Sequence, residues 1–378
     1  MFGSLELSTL QQLWWLIASV VGSLFLFLTF VQGGQTLLLT LAKNETEKKL
    51  IANSLGRKWE LTFTTLVLFG GALFAAFPLF YATSFGGAYW VWMAILFTFI
   101  VQAVSYEYRS KPDNLLGTAT YDWFLFINGS LGILLIGAAV GTFFTGSNFS
   151  LNDYNQVTWQ HGLRGLEAAF NPFNVALGLF LVFVARILGA MYLTNNVDYQ
   201  PLVSKTQKSA LLNLLLCLPF LLYVLGSLVV MDGYGVDPAT GVVSLVPGKY
   251  LANLTEMPLV ALLLVAGLLL VIAGVALNAF RKCRCGIWYG GLGTVLVGLS
   301  VFSLAGYNNT AFYPSKFDLQ ASLTIHNASS SHYTLTAMSY VALAVPFVLA
   351  YIFYVWRAMD ARKLSEADLA DAELNKLY

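Results

Sequence analysis

Nine long apolar runs, separated by short polar loops, constrain this chain more than any other feature of its sequence. Each run has roughly the 17–25 residues that cross a bilayer as a helix. Hydrophobic residues make up 58% of the chain and charged residues only 10%, whereas about a quarter of the residues in soluble domains are charged. We therefore predict an all-α membrane protein with one polytopic domain over residues 1–378. The nine runs are residues 11–42, 60–83, 88–105, 121–145, 171–195, 209–231, 256–280, 287–305 and 335–358.

Lysine and arginine are distributed unevenly between the loops. Sixteen of the 20 lie in alternate loops and in the C-terminal tail, three lie in the other loops, and Arg186 lies inside a run. Because loops rich in Lys and Arg stay in the cytoplasm, this pattern predicts a periplasmic N-terminus and a cytoplasmic C-terminus in a bacterial inner membrane. The basic residues line one membrane face, so they do not indicate nucleic-acid binding. The sixteen are Lys43, Lys48, Lys49, Arg57, Lys58, Arg109, Lys111, Lys205, Lys208, Arg281, Lys282, Arg284, Arg357, Arg362, Lys363 and Lys376.

The histidines argue against a bis-histidine haem held by this chain inside the bilayer. All three, His161, His326 and His332, fall in loops predicted to lie outside, whereas the axial ligands of an embedded haem project from helices. Cys283 and Cys285 form a C-x-C in a predicted cytoplasmic turn, where thiols stay reduced, and two thiolates do not complete a zinc site. We predict no metal site and no cofactor bound by this chain alone.

Charged residues within the apolar runs, or at their ends, are candidates for function because charges are costly in a membrane. Glu60 opens the second span, and Asp122 opens the fourth. Glu107 and Arg109 end the third span, where they are close enough in sequence to interact locally. Arg186 is the most deeply placed, about two turns from the cytoplasmic end of the fifth span. A structural role is favoured for all of them except Glu60.

Several short segments together carry a family resemblance, and they keep their order and spacing from about residue 43 to the C-terminus. In these segments the chain resembles subunit II of bd-type quinol oxidases. The GGALFAA-aromatic-Pro and YRSK segments are specific in combination, although either alone is not. The segments are Lys43–Glu47, Asn53–Ser54, Trp59–Glu60, Gly70–Pro78, Tyr108–Lys111, Asp122–Trp123, Asn171–Phe173, Asp232–Tyr234, Ala321–Thr324 and Ala328–Ser330.

The resemblance implies a terminal oxidase of two homologous membrane subunits that oxidises quinol and reduces dioxygen to water. Subunit I carries two b-type haems, a d-type haem or a b-type replacement, and the quinol-oxidation loop. Subunit II ligates no haem, supports assembly of subunit I, and contributes proton or dioxygen access. It also contacts lipid and can hold a quinone, and small single-helix subunits can join the complex. The implied fold has two four-helix groups and one peripheral helix.

The chain departs from the family pattern in its first two spans. The first span of many members carries Asp-Gly-Phe-Asp, but here the corresponding stretch reads Thr29–Phe30–Val31, followed by Gln32–Gly33–Gly34. In the second span, only Trp59 and an acid at Glu60 remain of a longer polar motif. These losses suggest the cyanide-insensitive branch of the family.

Glu60 is the candidate for a proton uptake site. It lies at the predicted cytoplasmic mouth of the second span, where Thr62, Thr64 and Thr65 supply hydroxyls that can hold water beyond it. Trp59 is the candidate contact for a quinone or lipid. The alternative for Glu60 is a carboxylate that only complements the helix dipole.

Two other functions stay open from the residues. A secondary transporter is also polytopic and low in charge, but it should show inverted repeats and broken helices. Gly33–Gly34 is the only obvious break in the first span, and no internal repeat is apparent. The second alternative is a purely structural assembly subunit with no role in transport.

Overall fold

The computed structural model describes residues 2–370, which are mainly helical and include two short β-hairpins. In the hairpins, Phe149 lies opposite Trp159 and Gly233 lies opposite Val246. The strands are β1 Phe149–Leu151, β2 Val157–Trp159, β3 Gly233–Val236 and β4 Val243–Val246. The α-helices are α1 Leu7–Leu28, α2 Phe30–Thr40, α3 Glu45–Gly56, α4 Trp59–Ala76, α5 Pro78–Tyr81, α6 Tyr89–Tyr108, α7 Thr118–Ile127, α8 Ile133–Thr145, α9 Pro172–Asn196, α10 Gln200–Val230, α11 Lys249–Glu256, α12 Pro258–Ala279, α13 Gly286–Gly306, α14 His332–Ala342, α15 Val345–Met359 and α16 Glu366–Ala370.

Within residues 2–370, nine helical stretches are long and apolar enough to cross a membrane, which confirms the predicted architecture. We call them spans 1 to 9. Several are composite: span 1 joins α1 and α2, and span 4 joins α7 to α8 through a π-helical segment, Asn128–Gly132. The spans are Leu7–Thr40, Glu45–Ala76, Tyr89–Tyr108, Thr118–Thr145, Pro172–Asn196, Gln200–Val230, Pro258–Ala279, Gly286–Gly306 and His332–Met359.

The loops gather on two opposite faces, in the alternation that the basic residues predict. One face, called the basic face, comprises residues 41–58, 109–117, 197–208, 280–285 and 360–370. Ion pairs connect its loops: Lys205 Nζ lies 2.6 Å from the Glu47 carboxylate, and the Arg284 guanidinium lies 2.6 Å from Asp198. Lys376, which was predicted to lie on this side, is outside the described residues.

The other face, called the outer face, comprises residues 77–88, 146–171, 231–257 and 307–331. Backbone and side-chain hydrogen bonds join these loops to one another. Ser147 N donates to Pro314 O at 2.9 Å, and Trp159 Nε1 donates to Thr83 O at 3.1 Å. Assignment of the basic face to the cytoplasm stays a prediction from the charge pattern.

Span 1 is interrupted at Thr29 and not at the glycine pair where the sequence suggests a break. The Thr29 hydroxyl donates to Leu26 O at 2.6 Å, and the new helix begins one residue later. Gly33 and Gly34 lie within α2 against the backbone of α9, and a Cβ on Gly34 would point towards Leu55 of α3. A Cβ on Gly33 would lie 1.8 Å from the Ala185 carbonyl oxygen, so the glycines permit two helix backbones to touch.

Spans 7 and 8 also pack through small residues. A Cβ on Gly267 would lie 2.7 Å from Gly293 O, and one on Gly274 would lie 2.7 Å from Gly286 O. Residues 286–305 are rich in glycine and serine, and the structure places several of these glycines at close helix contacts.

Spans 1 to 4 and spans 5 to 8 form the two expected four-helix groups, and span 9 is peripheral. Span 9 is attached near its two ends. Trp14 Nε1 donates to Ser339 Oγ at 3.0 Å near the outer face, and the Trp356 ring stacks on Phe27 near the basic face. Helix α15 has no fully buried residue, so apart from the side that carries Trp356 its surface can meet lipid or another subunit.

The cysteines differ from the expectation of free thiols. Cys283 and Cys285 are joined by a disulfide in the turn between α12 and α13. The physical reason is the turn itself, which holds the two Cα atoms 5.3 Å apart, within the range that a disulfide can bridge. Cys217 is free and buried, as its apolar surroundings suggest.

Candidate functional site

Glu60 lies in the first turn of α4 at the basic face, and its side chain is exposed. The three neighbouring threonines differ in orientation, because successive helical residues are rotated by about 100°. Thr62 is buried, Thr65 is half-buried, and Thr64 is exposed on the same side as Glu60. Only Thr64 therefore shares a face with the carboxylate.

The hydroxyl protons of these threonines are already used. Thr62 Oγ1 donates across to Leu28 O at 3.1 Å, which ties α4 to the interruption in span 1. Thr64 donates to the Glu60 carbonyl, and Thr65 donates to Leu61 O, both within the same helix. The hydroxyl oxygens keep their lone pairs, so they can accept hydrogen bonds from water but do not offer it a free proton.

Trp59 connects α4 to α6. Its ring is stacked on Tyr106 with centroids 5.8 Å apart and planes inclined by 12°. The Tyr106 hydroxyl in turn accepts from Gln35 Nε2 at 3.1 Å, so an aromatic contact at the basic face continues into the interior of the helix group. Trp59 is half-buried, which leaves part of its ring accessible.

Arg109 and Asp122 form a buried ion pair that joins span 3 to span 4. Arg109 Nε lies 2.7 Å from Asp122 Oδ1, and Lys48 Nζ lies 3.2 Å from Asp122 Oδ2. The side chains of Arg109 and Asp122 are 3% and 1% exposed. Two cations around one carboxylate satisfy its charge, and removal of one member of such a group is strongly destabilising.

The predicted local interaction between Glu107 and Arg109 is wrong. Residues two apart on a helix point in different directions, so the two side chains do not meet. Glu107 instead lies 3.3 Å from Lys111 in an exposed pair one turn further on. Glu107 is therefore a surface residue, whereas Arg109 is an interior one.

Arg186 is held by neutral groups. Its Nε donates to Asn213 Oδ1 at 2.8 Å, its Nη1 to Thr36 Oγ1 at 2.5 Å, and its Nη2 to Thr40 Oγ1 at 3.2 Å. Among the described residues no carboxylate pairs with it. The guanidinium thus links spans 1, 5 and 6 by hydrogen bonds to neutral side chains.

A further buried charge, which the sequence did not reveal, lies beside Trp59. Lys58 is fully buried, with Nζ 2.9 Å from Asp360 Oδ1 and 5.2 Å from the Trp356 ring centroid. Asn196 Nδ2 also donates to Asp360 Oδ1 at 3.0 Å. The sequence gives only a weak signal, because Asp360 follows the last span directly and lies about 300 residues away from Lys58.

His161 and His326 lie in loops of the outer face, as predicted, whereas the prediction of a loop is wrong for His332, which begins α14 and span 9 at the outer end. His326 Nδ1 is 2.8 Å from Gln11 Oε1, and His332 Nε2 is 2.8 Å from Leu5 O. His161 lines an outer cavity of about 260 Å³ together with Glu167 and Lys316. Burial lowers the pKa of the Lys316 ammonium from its ordinary value, and the nearby Glu167 partly offsets this effect.

Comparison with known proteins gives a consistent result. The family described as cytochrome bd terminal oxidase subunit II matches residues 10–359. Cytochrome bd-I ubiquinol oxidase subunit 2 of Escherichia coli (strain K12) is 28% identical over 375 residues, which cover 96% of this chain and 97% of that protein. Cytochrome bd ubiquinol oxidase subunit 2 of Bacillus subtilis (strain 168) is 26% identical and covers 94% of this chain and 98% of its own.

A solved structure agrees at the level of the fold. The bd oxidase from Geobacillus thermodenitrificans contains a chain that superposes with a TM-score of 0.58. The superposition covers 92% of this chain and 97% of that one, at 12% sequence identity. The match extends over almost the whole helix arrangement.

Proposed function

We propose, from the premise that this chain belongs to the cytochrome bd terminal oxidase subunit II family, that it forms part of a membrane complex that oxidises quinol and reduces dioxygen to water. The observation that carries the proposal is the family match, which runs through all nine spans. Because of this family match, we propose an oxidase subunit in place of the secondary transporter considered from the sequence. The membrane is a bacterial inner membrane in this proposal, with the basic face in the cytoplasm.

The haems belong to the partner, subunit I, in this proposal. His161 and His326 lie on the outer face, His332 begins span 9 at its outer end, and two of the three form short hydrogen bonds within the chain. Within residues 2–370, no group of His, Cys, Asp and Glu side chains is arranged to hold a metal ion. As the family resemblance implies, two b-type haems, a d-type haem or its b-type replacement, and the quinol-oxidation site lie in subunit I. This chain supports that subunit and can carry a lipid or quinone against Trp59.

Glu60 collects protons for the reaction at the basic face. Its exposed carboxylate lies at the basic-face end of one side of α4. Further along the same side, Val67, Leu68 and Phe74 are exposed apolar side chains. Such a face suits contact with lipid or with subunit I. A carboxylate at its cytoplasmic end exchanges protons with water at the basic face, and the neighbouring Thr64 hydroxyl oxygen can accept a hydrogen bond from that water.

The experiment is Glu60→Gln in the assembled oxidase, because Gln keeps the shape of the side chain but cannot carry a proton. We expect quinol-driven oxygen consumption to fall about tenfold, the effect of about 1.4 kcal/mol on the barrier, with normal haem content. The matched control is Glu366→Gln, which neutralises another exposed carboxylate on the basic face. Full activity of a fully assembled Glu60→Gln enzyme would show that the Glu60 carboxylate only complements the dipole of α4.

The assembly role is tested separately. Without this chain, subunit I should lose haem, as measured by its optical spectrum per mole of protein. A normal spectrum and normal turnover in the absence of this chain would overturn the support function. If haem is lost but Glu60→Gln is fully active, the purely structural alternative holds.

A further inference from the structure

Four amide side chains are buried together where α2, α6 and the π-helical segment of span 4 meet. They are Gln32, Gln35, Gln102 and Asn128, and each is 0% exposed. Carboxamides are rarely this deeply buried without a reason, because each must exchange hydrogen bonds to water for bonds inside the protein. We call this group the amide seam.

The hydrogen bonds and spacing place these side chains on facing surfaces. Gln35 Nε2 donates to the Tyr106 hydroxyl at 3.1 Å, and Asn128 Nδ2 donates to Thr98 Oγ1 at 3.4 Å. Thr98, Gln102 and Tyr106 follow one another at intervals of four, so they lie along one face of α6. The face runs for two helical turns, about 12 Å.

Two glycines bring the third helix into this contact. A Cβ on Gly129 would lie 2.2 Å from the Gln32 carbonyl oxygen, and one on Gly132 would lie 2.5 Å from Thr98 Oγ1. Both glycines belong to the π-helical segment Asn128–Gly132. Such local widening of a helix is frequent at functional sites. Span 4 therefore approaches both α2 and α6 at the level of the amides.

Six amide atoms in the seam have no hydrogen-bond partner in the protein. They are both amide atoms of Gln32, both of Gln102, Gln35 Oε1 and Asn128 Oδ1. An unsatisfied buried polar group costs about 1–3 kcal/mol, so six in one place would be a heavy cost for a stable interior. Internal water, which makes two to four hydrogen bonds, satisfies groups of this kind.

The two ends of the seam differ. At the basic face it begins beside the buried Arg109–Asp122 pair, with Lys48 completing the group. Arg109 Nη2 is also buried without a hydrogen-bond partner. Towards the outer face, α6 continues with apolar side chains, and Ile95 lies in a buried cluster with Phe25 and Ile133.

We infer that the amide seam is a hydrated half-channel that takes protons from the basic face to about the middle of the membrane. This inference rests on the proposed function, because the oxidase reaction consumes the protons. Each water accepts a proton on one side and releases one on the other, so no seam residue has to change its own protonation state. The apolar cluster blocks passage to the outer face, and the protons leave sideways towards subunit I.

The inner end of the seam lies beside the interruption in span 1. Gly33 N, next to Gln32, donates to Thr29 O, and the Thr62 hydroxyl of α4 donates to Leu28 O. Helix α4 is also the one with the exposed apolar face. We place the lateral exit of the half-channel at this contact with the interrupted segment, two residues beyond Glu60 in α4.

The test uses the complete oxidase with Gln102→Leu, which keeps the approximate volume but removes both hydrogen-bonding atoms. We expect turnover to fall about tenfold with normal haem content, equivalent to about 1.4 kcal/mol. Gln102→Asn, which retains an amide, should recover much of the activity. The matched control is Asn278→Leu in span 7, a buried amide that also has no partner but lies outside the seam. This control should keep full turnover.

Water itself is measured independently of turnover, by radiolytic ¹⁸O labelling and by a high-resolution cryo-EM map of the wild-type complex. Ordered water within hydrogen-bond distance of the seam amides is expected. Amides paired directly with one another and no water would overturn the inference, as would water with unchanged turnover in Gln102→Leu. A complex that does not oxidise quinol would refute the proposed function, while the water measurement would still decide whether the seam is hydrated. If Gln102→Leu fails to assemble, the turnover of Gln102→Asn and the presence or absence of water in the map decide whether the inference holds.

Discussion

The amide seam and the contact between α12 and α13 are both places where glycine lets helices approach closely, but their interiors differ. At the seam, Gly129 and Gly132 bring together carboxamides with unpartnered atoms. Between α12 and α13, Gly267 and Gly293 place one backbone against another, with valine side chains beside them. The first interior carries four buried amides from the basic face inward, whereas the second has a single buried amide, Asn278, at its end near the basic face.

The difference shows that close helix packing alone does not require polar residues. In lipid, association gains little from the hydrophobic effect and relies on van der Waals contact, which glycine promotes. Around Gly267 and Gly293 the α12–α13 contact meets that need without amide side chains, and its one unsatisfied amide, Asn278, lies at the end of α12 near the basic face. The polar residues of the seam therefore need another explanation, and internal water for proton movement supplies it.

The largest stability effect is expected for the charged end of the seam. Asp122→Asn leaves the Arg109 guanidinium buried with no carboxylate partner. Loss of one member of a buried pair costs about 3–5 kcal/mol, so the purified complex should unfold at a clearly lower temperature. Thermal unfolding of the detergent-solubilised complex measures this. Glu107→Gln, which removes only the exposed pair with Lys111, should stay close to wild type.

A smaller effect is expected from overpacking the apolar contact. In Gly293→Ala, the new Cβ would lie 2.5 Å from the Gly267 carbonyl oxygen. Such overpacking typically costs about 1–3 kcal/mol, which lowers thermal stability. Turnover per assembled, haem-loaded complex should not change, because no proton path runs through this contact. Gly226→Ala, whose Cβ would meet nothing within 4 Å, is the control. A selective loss of turnover in Gly293→Ala would contradict the comparison.

The smallest effect is expected for an exposed pair of the same chemical type. The Arg284–Asp198 distance is 2.6 Å, close to that of the buried pair, but the Asp198 side chain is 56% exposed. The Arg284 guanidinium lowers the pKa of the Asp198 carboxyl from its ordinary value. The stabilisation is therefore present at neutral pH and is lost as the pH falls through that lowered pKa.

Solvent screening keeps the contribution of the Arg284–Asp198 pair to the free energy of unfolding below about 1 kcal/mol. Asp198→Asn should shift the unfolding temperature slightly at pH 7 and not at all in strong acid, where wild-type Asp198 is also protonated. Unfolding curves of both proteins across the acid range measure the difference. A shift as large as that of Asp122→Asn would show that burial does not decide the strength of these pairs.

The sequence predicts many residues of the candidate site, but it does not predict which of them contact one another. The sequence identifies Arg109, Asp122 and Arg186 because charges in apolar runs stand out. The sequence does not identify the ion-pair partners. Proximity along the chain suggests that Arg109 pairs with Glu107, whereas it pairs with Asp122. Lys58 and Asp360 pair across about 300 residues, which no local pattern reveals.

The sequence by itself determined the nine spans, their alternation between two faces and the family, because span length, hydropathy and loop charge are properties of consecutive residues. Tertiary structure decided which side chains meet. The four seam amides lie on three separate helical segments, and uncharged amides in apolar runs give no strong signal alone. Their importance comes from shared burial, which exists only when α2, α6 and span 4 pack together. Hydrogen-bond satisfaction depends on neighbours in space, and the order of residues does not specify them.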